Sequence, residues 1–203
     1  MKGQLKDRLV IGITGSFGSG KTTVARIFKK YGAKVIDLDR LAHRCIRRGS
    51  PAYKKIIGLL GKEILNINKQ INRKKLANIV FNNKKLLLKL NCIIHPKVIK
   101  IVKEKLHSFK KGIVVLDAPL LLEAGLAQIV DILIVVKIDR KIQIERIKKK
   151  FSMEEEEILK RIKAQMPLSK KIKMADFVID NTFSLKKTKR QVNKIIRRLR
   201  WRN

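Results

Sequence analysis

The sequence predicts an α/β fold built on a parallel β-sheet, and three observations support this prediction. Five short apolar segments recur along the 203 residues, separated by stretches with helical periodicity. These segments are continuously apolar rather than alternating, which is typical of strands buried on both faces of a sheet. A glycine-rich loop joins the first segment directly to a helical pattern. A chain of this length buries one such core and carries a small insertion.

The five apolar segments are predicted to be the strands of the sheet. They span 9–14, 34–38, 112–117, 131–136 and 176–179. A first helix is expected over 21–31, with Val24, Ile27 and Phe28 on its inner face and Gly32 at its end. The helix near the C-terminus is expected to bury one face, formed by Val192, Ile195, Ile196 and Leu199.

Two excursions interrupt this alternation of strands and helices. The stretch over about 40–111 is too long for an ordinary crossover, so we expect an inserted helical subdomain there. Within it Pro96 predicts a break, because proline ends one helix and is favoured at the start of the next. A basic helix over 140–150 follows the fourth strand. After it, Ser152 and Glu155 have the spacing of a capping box, with the acidic run 154–157 at the helix N-terminus.

The glycine-rich loop is the most specific motif of the chain. Residues 15–22 fit G-x-x-x-x-G-K-[ST] between a predicted strand and a predicted helix. Its glycines let successive N–H groups point toward phosphate oxygens, and the start of the helix adds a favourable dipole. Lys21 would meet the β- and γ-phosphates, and the Thr22 hydroxyl would bind Mg²⁺. The predicted nucleotide-binding residues are Gly18, Ser19, Gly20, Lys21, Thr22 and Thr23.

Carboxylates lie at the C-terminal ends of two predicted strands, the edge where open α/β sheets bind ligands. Alternation along the second strand would aim Asp37 and Asp39 in the same direction, so separate roles and a shared network are both open. One of them would accept a proton from an attacking hydroxyl, and capping of the next helix is the competing interpretation. Asp117 would hold Mg²⁺ directly or through water, or else cap the turn before Pro119.

The basic helix after the fourth strand offers cations for a transferring phosphoryl group. Arg146 and Lys150 lie on it, and Arg161 follows on the next predicted helix. Such side chains would close over a bound triphosphate, although in so basic a chain each also fits a solvated surface position. A GTPase is disfavoured because the nearest match to its [NT]-K-x-D base-reading motif, residues 136–139, lacks the first residue.

The composition bounds the partners and the compartment. The formal net charge of +34 fits either a nucleic-acid partner or a composition that is rich in lysine throughout. We favour the second interpretation, because aromatic residues make up only 5% and the lysines do not form a single stripe along the sequence. No apolar stretch approaches the roughly 20 residues of a membrane span, and no signal peptide is recognised. Cys45 and Cys92 fit free thiols in a reducing cytoplasm. The basic run 197–202 is expected to end a surface helix, and weak contact with RNA or lipid is the alternative interpretation.

Further strings, in this order and spacing, resemble the dephospho-CoA kinases. They are residues 18–23, 35–39, 49–52, 72–76, 79–81, 95–96 and 118–123, then Gln143 with Arg146, Gln165, and 175–181. The chain departs from the family pattern at Ser16 and Phe17, where a glycine and an isoleucine are usual. Lys150 stands where a second lid arginine is common, which keeps the charge without the planar fork.

The resemblance implies a three-layer P-loop NTPase core with a five-stranded parallel sheet, an inserted helical acceptor domain and a small helical lid. The core would take 1–39, 112–138 and 167–203, the acceptor domain 40–111 and the lid 139–166. The implied reaction is Mg²⁺-dependent transfer of the γ-phosphoryl of ATP to the 3′-hydroxyl of dephospho-CoA. The family's pattern assigns the catalytic base to Asp39, acceptor binding to Arg73 and His95, and a lid role to Arg146.

Three other functions compete with this expectation: a kinase for another small molecule such as a nucleoside monophosphate, an ATPase that binds nucleic acid, and a chain that binds ATP without catalysis. Phosphorylation of nucleoside monophosphates but not of dephospho-CoA would indicate the first alternative. ATP hydrolysis stimulated by RNA would indicate the second. We expect a cytoplasmic enzyme, a monomer or weak homo-oligomer, whose partner is the small-molecule substrate, with no membrane and no required nucleic acid.

Overall fold

A computed structural model of the chain describes residues 8–200. Residues 1–7 and 201–203 of the predicted core, including the end of the basic run, lie outside the described residues. The described chain forms a sheet of five parallel strands in the order β2-β3-β1-β4-β5, which confirms the predicted α/β class. The strands are β1 Arg8–Gly15, β2 Lys34–Asp37, β3 Gly112–Asp117, β4 Ile132–Lys137 and β5 Phe177–Asp180.

The register brings the C-terminal ends of the strands to one edge. Asp117 of β3 pairs with Ile13 of β1 on one side and with Asp37 of β2 on the other. Gly15, the last residue of the central strand β1, pairs with Val136 of β4. The loop that follows β1 therefore begins at the middle of this edge.

Helices cover both faces of the sheet. Helix α1 (Lys21–Lys30) and the C-terminal helix, Leu185–Arg200, pack on the face that carries Ile11 and Ile13; Val24, Ile27 and Phe28 are buried there, as predicted, together with Val192, Ile195, Ile196 and Leu199. Thr14 faces the opposite side, because side chains alternate along a strand. On that side lies a short helix, Leu168–Lys173, which packs against β1 and β4.

The chain divides into two compact units. One takes the described residues up to Asp37 and from Leu106 onward, and the other is Leu38–Lys105. The second unit has its own apolar core, which includes Ile56 and Ile64, both fully buried. The α-helices are numbered in chain order. After α1 come α2 Leu38–Cys45, α3 Pro51–Leu60, α4 Arg73–Phe81, α5 Lys84–Ser108, α6 Arg140–Phe151 and α7 Glu155–Lys163. The short helix and the C-terminal helix described above are α8 (Leu168–Lys173) and α9 (Leu185–Arg200).

Three local predictions were wrong. Strand β2 ends at Asp37, because Leu38 and Leu41 bury one face of α2; Asp39 therefore lies in the first turn of a helix and does not alternate with Asp37 along a strand. Helix α5 continues through Pro96, with buried residues both before and after it. The third is the capping box at Ser152.

Ser152 ends α6 in the left-handed conformation, with φ 49° and ψ 48°. The N-cap of α7 is Glu154, which makes no side-chain capping bond, whereas the acidic residues occupy the first turn of α7 as predicted. Because α7 begins after Glu154 and Ser152 lies two residues earlier, Ser152 does not cap α7. No helix within residues 8–200 is long and apolar enough to span a membrane.

Candidate active site

The loop between β1 and α1 wraps around the start of the helix. Gly18 and Gly20 have φ of 75° and 88°, the left-handed region that favours glycine. A Cβ at Gly20 would also collide with the side-chain amide of Asn181. The backbone N–H of Ser19 donates to the Ser16 carbonyl at 3.1 Å, which closes the loop on itself. The loop therefore holds the curled conformation that its motif predicts.

Lys21 folds back over this loop. Its Nζ donates to the Ser16 carbonyl at 2.8 Å, and the residue is only 8% exposed. A buried ammonium group beside the start of a helix concentrates positive charge where N–H groups are also oriented. The arrangement suits an anion with several oxygens, such as a polyphosphate.

Asp117 and Thr22, the two predicted metal ligands, lie together. The Thr22 side chain hydrogen-bonds the Asp117 carboxyl, which is 5% exposed at the end of β3. Burial raises the pKa of Asp117 above its ordinary value; the Thr22 bond and the Lys21 charge oppose this shift, and the Asp37 charge adds to it. A buried carboxylate that faces a hydroxyl and a lysine is a site poised for a cation and phosphate oxygens.

These donors fit Mg²⁺ in particular. Hydroxyl and carboxylate oxygens are its preferred protein ligands, and Mg²⁺ in kinases takes its other ligands from water and phosphates. The described residues contain no group of three or more His, Cys, Asp or Glu side chains that would hold a metal by themselves. Asp117 and Thr22 could supply two oxygen ligands to a metal that arrives with a nucleotide.

The predicted acceptor residues all belong to the second unit. Arg73 begins α4, whose N-cap Asn72 accepts hydrogen bonds from the N–H groups of Lys74 and Lys75. The Arg73 guanidinium lies 3.4 Å from Nδ1 of His43, and both side chains are exposed. The sequence interpretation missed His43, although it follows Asp39 by four residues on α2 and so shares its helix face. His95 is half-buried on α5.

Arg146 of α6 contacts the segment that follows β5. Its guanidinium donates to the carbonyls of Asn181 at 2.7 Å, Thr182 at 3.1 Å and Phe183 at 3.3 Å. Lys150, one turn later, lies 5.1 Å from the Phe151 ring. Arg146 is exposed, and these three bonds hold its guanidinium at the segment that follows β5.

Phe17, one of the positions that depart from the family pattern, packs against the helices after β4. Its ring stacks on Phe151 with centroids 5.8 Å apart, and the Arg161 guanidinium lies 5.5 Å from its centroid. Arg161 also pairs with Glu157 at 2.8 Å. An aromatic ring at this position therefore joins the loop to α6 and α7.

A buried ion pair on the far face of the sheet was not anticipated. Lys171 of α8 is fully buried, and its Nζ lies 2.8 Å from Glu123 and donates to the Pro119 carbonyl at 2.6 Å. Thr14 donates to the same carbonyl at 3.2 Å. Burial lowers the pKa of Lys171, and the Glu123 carboxylate opposes that shift. No signal in the sequence distinguishes this lysine from the many exposed ones.

The chain is similar to known proteins over nearly its whole length. Residues 9–187 match the family model described as dephospho-CoA kinase. The dephospho-CoA kinase of Carboxydothermus hydrogenoformans is 43% identical over 197 residues, covering 96% of each chain. A crystal structure from Thermus thermophilus has a TM-score of 0.78 at 32% identity, covering 93% of this chain and 96% of that one. The dephospho-CoA kinase from Campylobacter jejuni has a TM-score of 0.67 at 29% identity, covering 95% of this chain and 97% of that one.

Proposed function

The chain belongs to the dephospho-CoA kinase family, and from this premise we propose which of its residues carry the reaction. It is an ATP-dependent kinase that phosphorylates dephospho-CoA to give coenzyme A. The observation that carries the proposal is the meeting of Lys21, Thr22 and Asp117 at the end of the central strands, in a chain that matches the family over residues 9–187.

Residues of the phosphate loop bind ATP. The N–H groups of Gly18 to Thr23 surround the β- and γ-phosphates, and the Lys21 ammonium, which the Ser16 carbonyl holds over the loop, neutralises charge on the γ-phosphoryl oxygens. Thr22 and Asp117 would hold Mg²⁺, which when bound supplies further neutralisation of the phosphate charge. Positioning and electrostatic stabilisation account for most of the rate in such a transfer.

Asp39 accepts the proton of the attacking hydroxyl. The 3′-oxygen of the dephospho-CoA ribose forms a bond to the γ-phosphorus, the bond from that phosphorus to the β,γ-bridging oxygen breaks, and ADP leaves. Because the transition state is loose, the proton moves to Asp39 late in the reaction. Arg73, with His43 beside it, and His95 bind the acceptor, and residues 40–111 form the acceptor domain.

Residues 139–166 act as the lid. In this proposal Arg146 moves from the carbonyls after β5 to the phosphates, with Lys150 as a weaker second cation, and closure excludes water and so limits ATP hydrolysis. We place the enzyme in the cytoplasm as a monomer or weak homo-oligomer that needs neither a membrane nor a nucleic acid.

Mass spectrometry tests the reaction. The protein is incubated with dephospho-CoA, ATP and Mg²⁺, and we expect a product heavier by one phosphoryl group, with fragments that locate it on the ribose 3′-oxygen. A parallel incubation with nucleoside monophosphates distinguishes the competing kinase. Their phosphorylation, without turnover of dephospho-CoA, would contradict the proposal.

Asp39→Asn tests the base assignment. The amide keeps the shape of the side chain but accepts no proton, so we expect kcat to fall on the order of 100-fold or more while ATP affinity stays within about twofold. The rate is read from ADP release and the affinity from calorimetric titration. Unchanged turnover would remove Asp39 from this role.

A further inference from the structure

Three side-chain amides hold the phosphate loop from neighbouring elements. Oε1 of Gln165, after α7, accepts from the Phe17 N–H at 2.8 Å. Nε2 of Gln143, on α6, donates to the Phe17 carbonyl and to Ser16 Oγ, the latter at 2.9 Å. Nδ2 of Asn181, after β5, donates to the Ser19 carbonyl at 2.9 Å. Three peptide units of one short loop are thus each held by a side chain distant in sequence.

Each of these bonds also fixes a second backbone group. A trans peptide unit is planar, and its C=O and N–H point in opposite directions. The bond from Gln143 to the Phe17 carbonyl therefore directs the Gly18 N–H away from α6. The bond from Asn181 to the Ser19 carbonyl directs the Gly20 N–H away from the segment after β5 in the same way.

The third amide, that of Gln165, binds the N–H of its peptide unit rather than the C=O. Because Gln165 holds the Phe17 N–H, the Ser16 carbonyl of that unit points the other way. There it accepts bonds from the Lys21 ammonium at 2.8 Å and the Ser19 N–H at 3.1 Å. Gln165 thereby places the carbonyl that holds Lys21 over the loop.

Two of the three amides are themselves held rigidly. Gln143 is 2% exposed and Asn181 is 7% exposed. The Ser19 carbonyl only accepts hydrogen bonds, so Asn181 must face it with its NH₂ group. Its Oδ1 then accepts from the Thr188 hydroxyl at 2.8 Å, and Thr188 is fully buried in α9. These two bonds fix the Asn181 amide in one orientation, with its NH₂ group toward Ser19 and its Oδ1 toward Thr188.

We propose that Gln143, Gln165 and Asn181 are positioning residues that fix the direction of the phosphate-loop N–H groups before a nucleotide binds. This inference rests on the proposed function in one respect, that phosphates bind this loop. A loop already fixed pays less ordering entropy on binding, so the amides raise affinity for the phosphates without touching them. Gln143 and Gln165 also belong to the proposed lid, residues 139–166, so their bonds link the loop to the lid. Gln143 lies one turn before Arg146, whose guanidinium donates to the Asn181 carbonyl.

Pyrophosphate is the probe, because it contains only the group that the loop binds. Its dissociation constant is measured by calorimetric titration with Mg²⁺ for the wild type, Gln143→Met and Asn181→Ala, with the melting temperature of each. We expect the two variants to bind pyrophosphate about tenfold or more weakly. Thr188→Val, which replaces the hydroxyl that orients Asn181 with a methyl group of similar size, is expected to weaken binding about threefold and serves if Asn181→Ala does not fold.

Gln191→Ala is the matched control. Gln191 lies on α9 and exchanges hydrogen bonds of 2.9 and 2.8 Å with the backbone of Asp180, next to Asn181, but makes no hydrogen bond to the phosphate loop within residues 8–200. Its loss should lower the melting temperature and leave pyrophosphate affinity within about twofold. A merely structural role for the amides would instead make affinity follow the melting temperature in all variants, which would overturn the inference.

The outcomes separate this inference from the proposed function. Weakened pyrophosphate binding in the amide variants, in a protein that does not phosphorylate dephospho-CoA, would refute only the proposed function. Wild-type affinity in Gln143→Met and in the Asn181 or Thr188 variant would refute only the positioning role. A wild-type protein that does not bind pyrophosphate would refute the inference as well.

Discussion

Lys21 links the conformation of the loop to its charge. The ammonium is held by the Ser16 carbonyl at 2.8 Å, so a positive charge already lies over the loop before phosphate arrives. We expect Lys21→Ala to lower kcat/KM on the order of 1,000-fold, because a preorganised charge that faces the transferring group is lost from a partly buried site. Steady-state kinetics with varied ATP measure this, and a loss below about tenfold would contradict the role.

Asp117 gives the site a pH dependence of definite sign. Its pKa is raised chiefly by burial, so the folded protein binds this proton more tightly than the unfolded chain does. Stability therefore falls as pH rises from the ordinary carboxyl pKa through the raised one, and stays lower above it. The ionised form, which the proposed metal site needs, is the less stable one.

Asp117→Asn tests both consequences. Without metal or nucleotide, we expect the variant to melt no lower than the wild type near neutral pH. It should also lack the loss of stability that the wild type shows as pH rises from the ordinary carboxyl pKa through the raised pKa of Asp117. Its kcat/KM should fall on the order of 100-fold, because the amide is a poor Mg²⁺ ligand. Thermal melts over a pH series and Mg²⁺-dependent kinetics measure the two effects; a destabilised variant at neutral pH would argue against the buried charge.

At the scale of elements, Ser152 shows where a local pattern misleads. Its spacing from Glu155 predicts a capping box, but Ser152 ends α6 with φ 49°. A serine cannot serve the preceding helix as a left-handed C-cap and the following helix as its N-cap at once. The position of the turn was decided by the burial of Ile147 and Ile158, which a four-residue motif does not contain.

Ser152→Gly separates the two interpretations. Glycine adopts the left-handed conformation without strain, so we expect stabilisation by about 0.5–1 kcal/mol, whereas removal of an N-cap serine would destabilise. Ser152→Ala is the control, since alanine keeps the strain and removes the hydroxyl. Chemical denaturation of the three proteins measures the difference, and a destabilised glycine variant would restore the capping box.

Elements with continuous apolar patterns were predicted well, and the arrangement of polar side chains was not. The strand bounds agree within two residues, because a strand buried on both faces carries its signal in its own sequence. The phosphate loop was also predicted well, because its motif lies within a short stretch of sequence, residues 15–22. By contrast, the bond from Asn181 to Ser19 and the burial of Lys171 depend on residues far apart in the chain, and no short window encodes them.

For the whole molecule, the charge of +34 has a kinetic consequence. Both substrates of the proposed reaction carry phosphates, and a cationic protein raises the rate at which anions reach it. This attraction acts over a Debye length of about 30 Å at 10 mM salt and about 8 Å at 150 mM. The charge thus assists binding encounters without requiring a nucleic-acid partner.

Ionic strength tests this view of the charge. Between 10 and 150 mM salt, we expect kcat/KM for both substrates to fall about three- to tenfold while kcat changes less than about twofold, because screening weakens encounter and leaves the closed site unaffected. Sodium chloride and potassium acetate series at constant free Mg²⁺ control for specific ion effects. Constant kcat/KM would show that the charge has no steering role, and ATP hydrolysis stimulated by added RNA would favour the nucleic-acid interpretation instead.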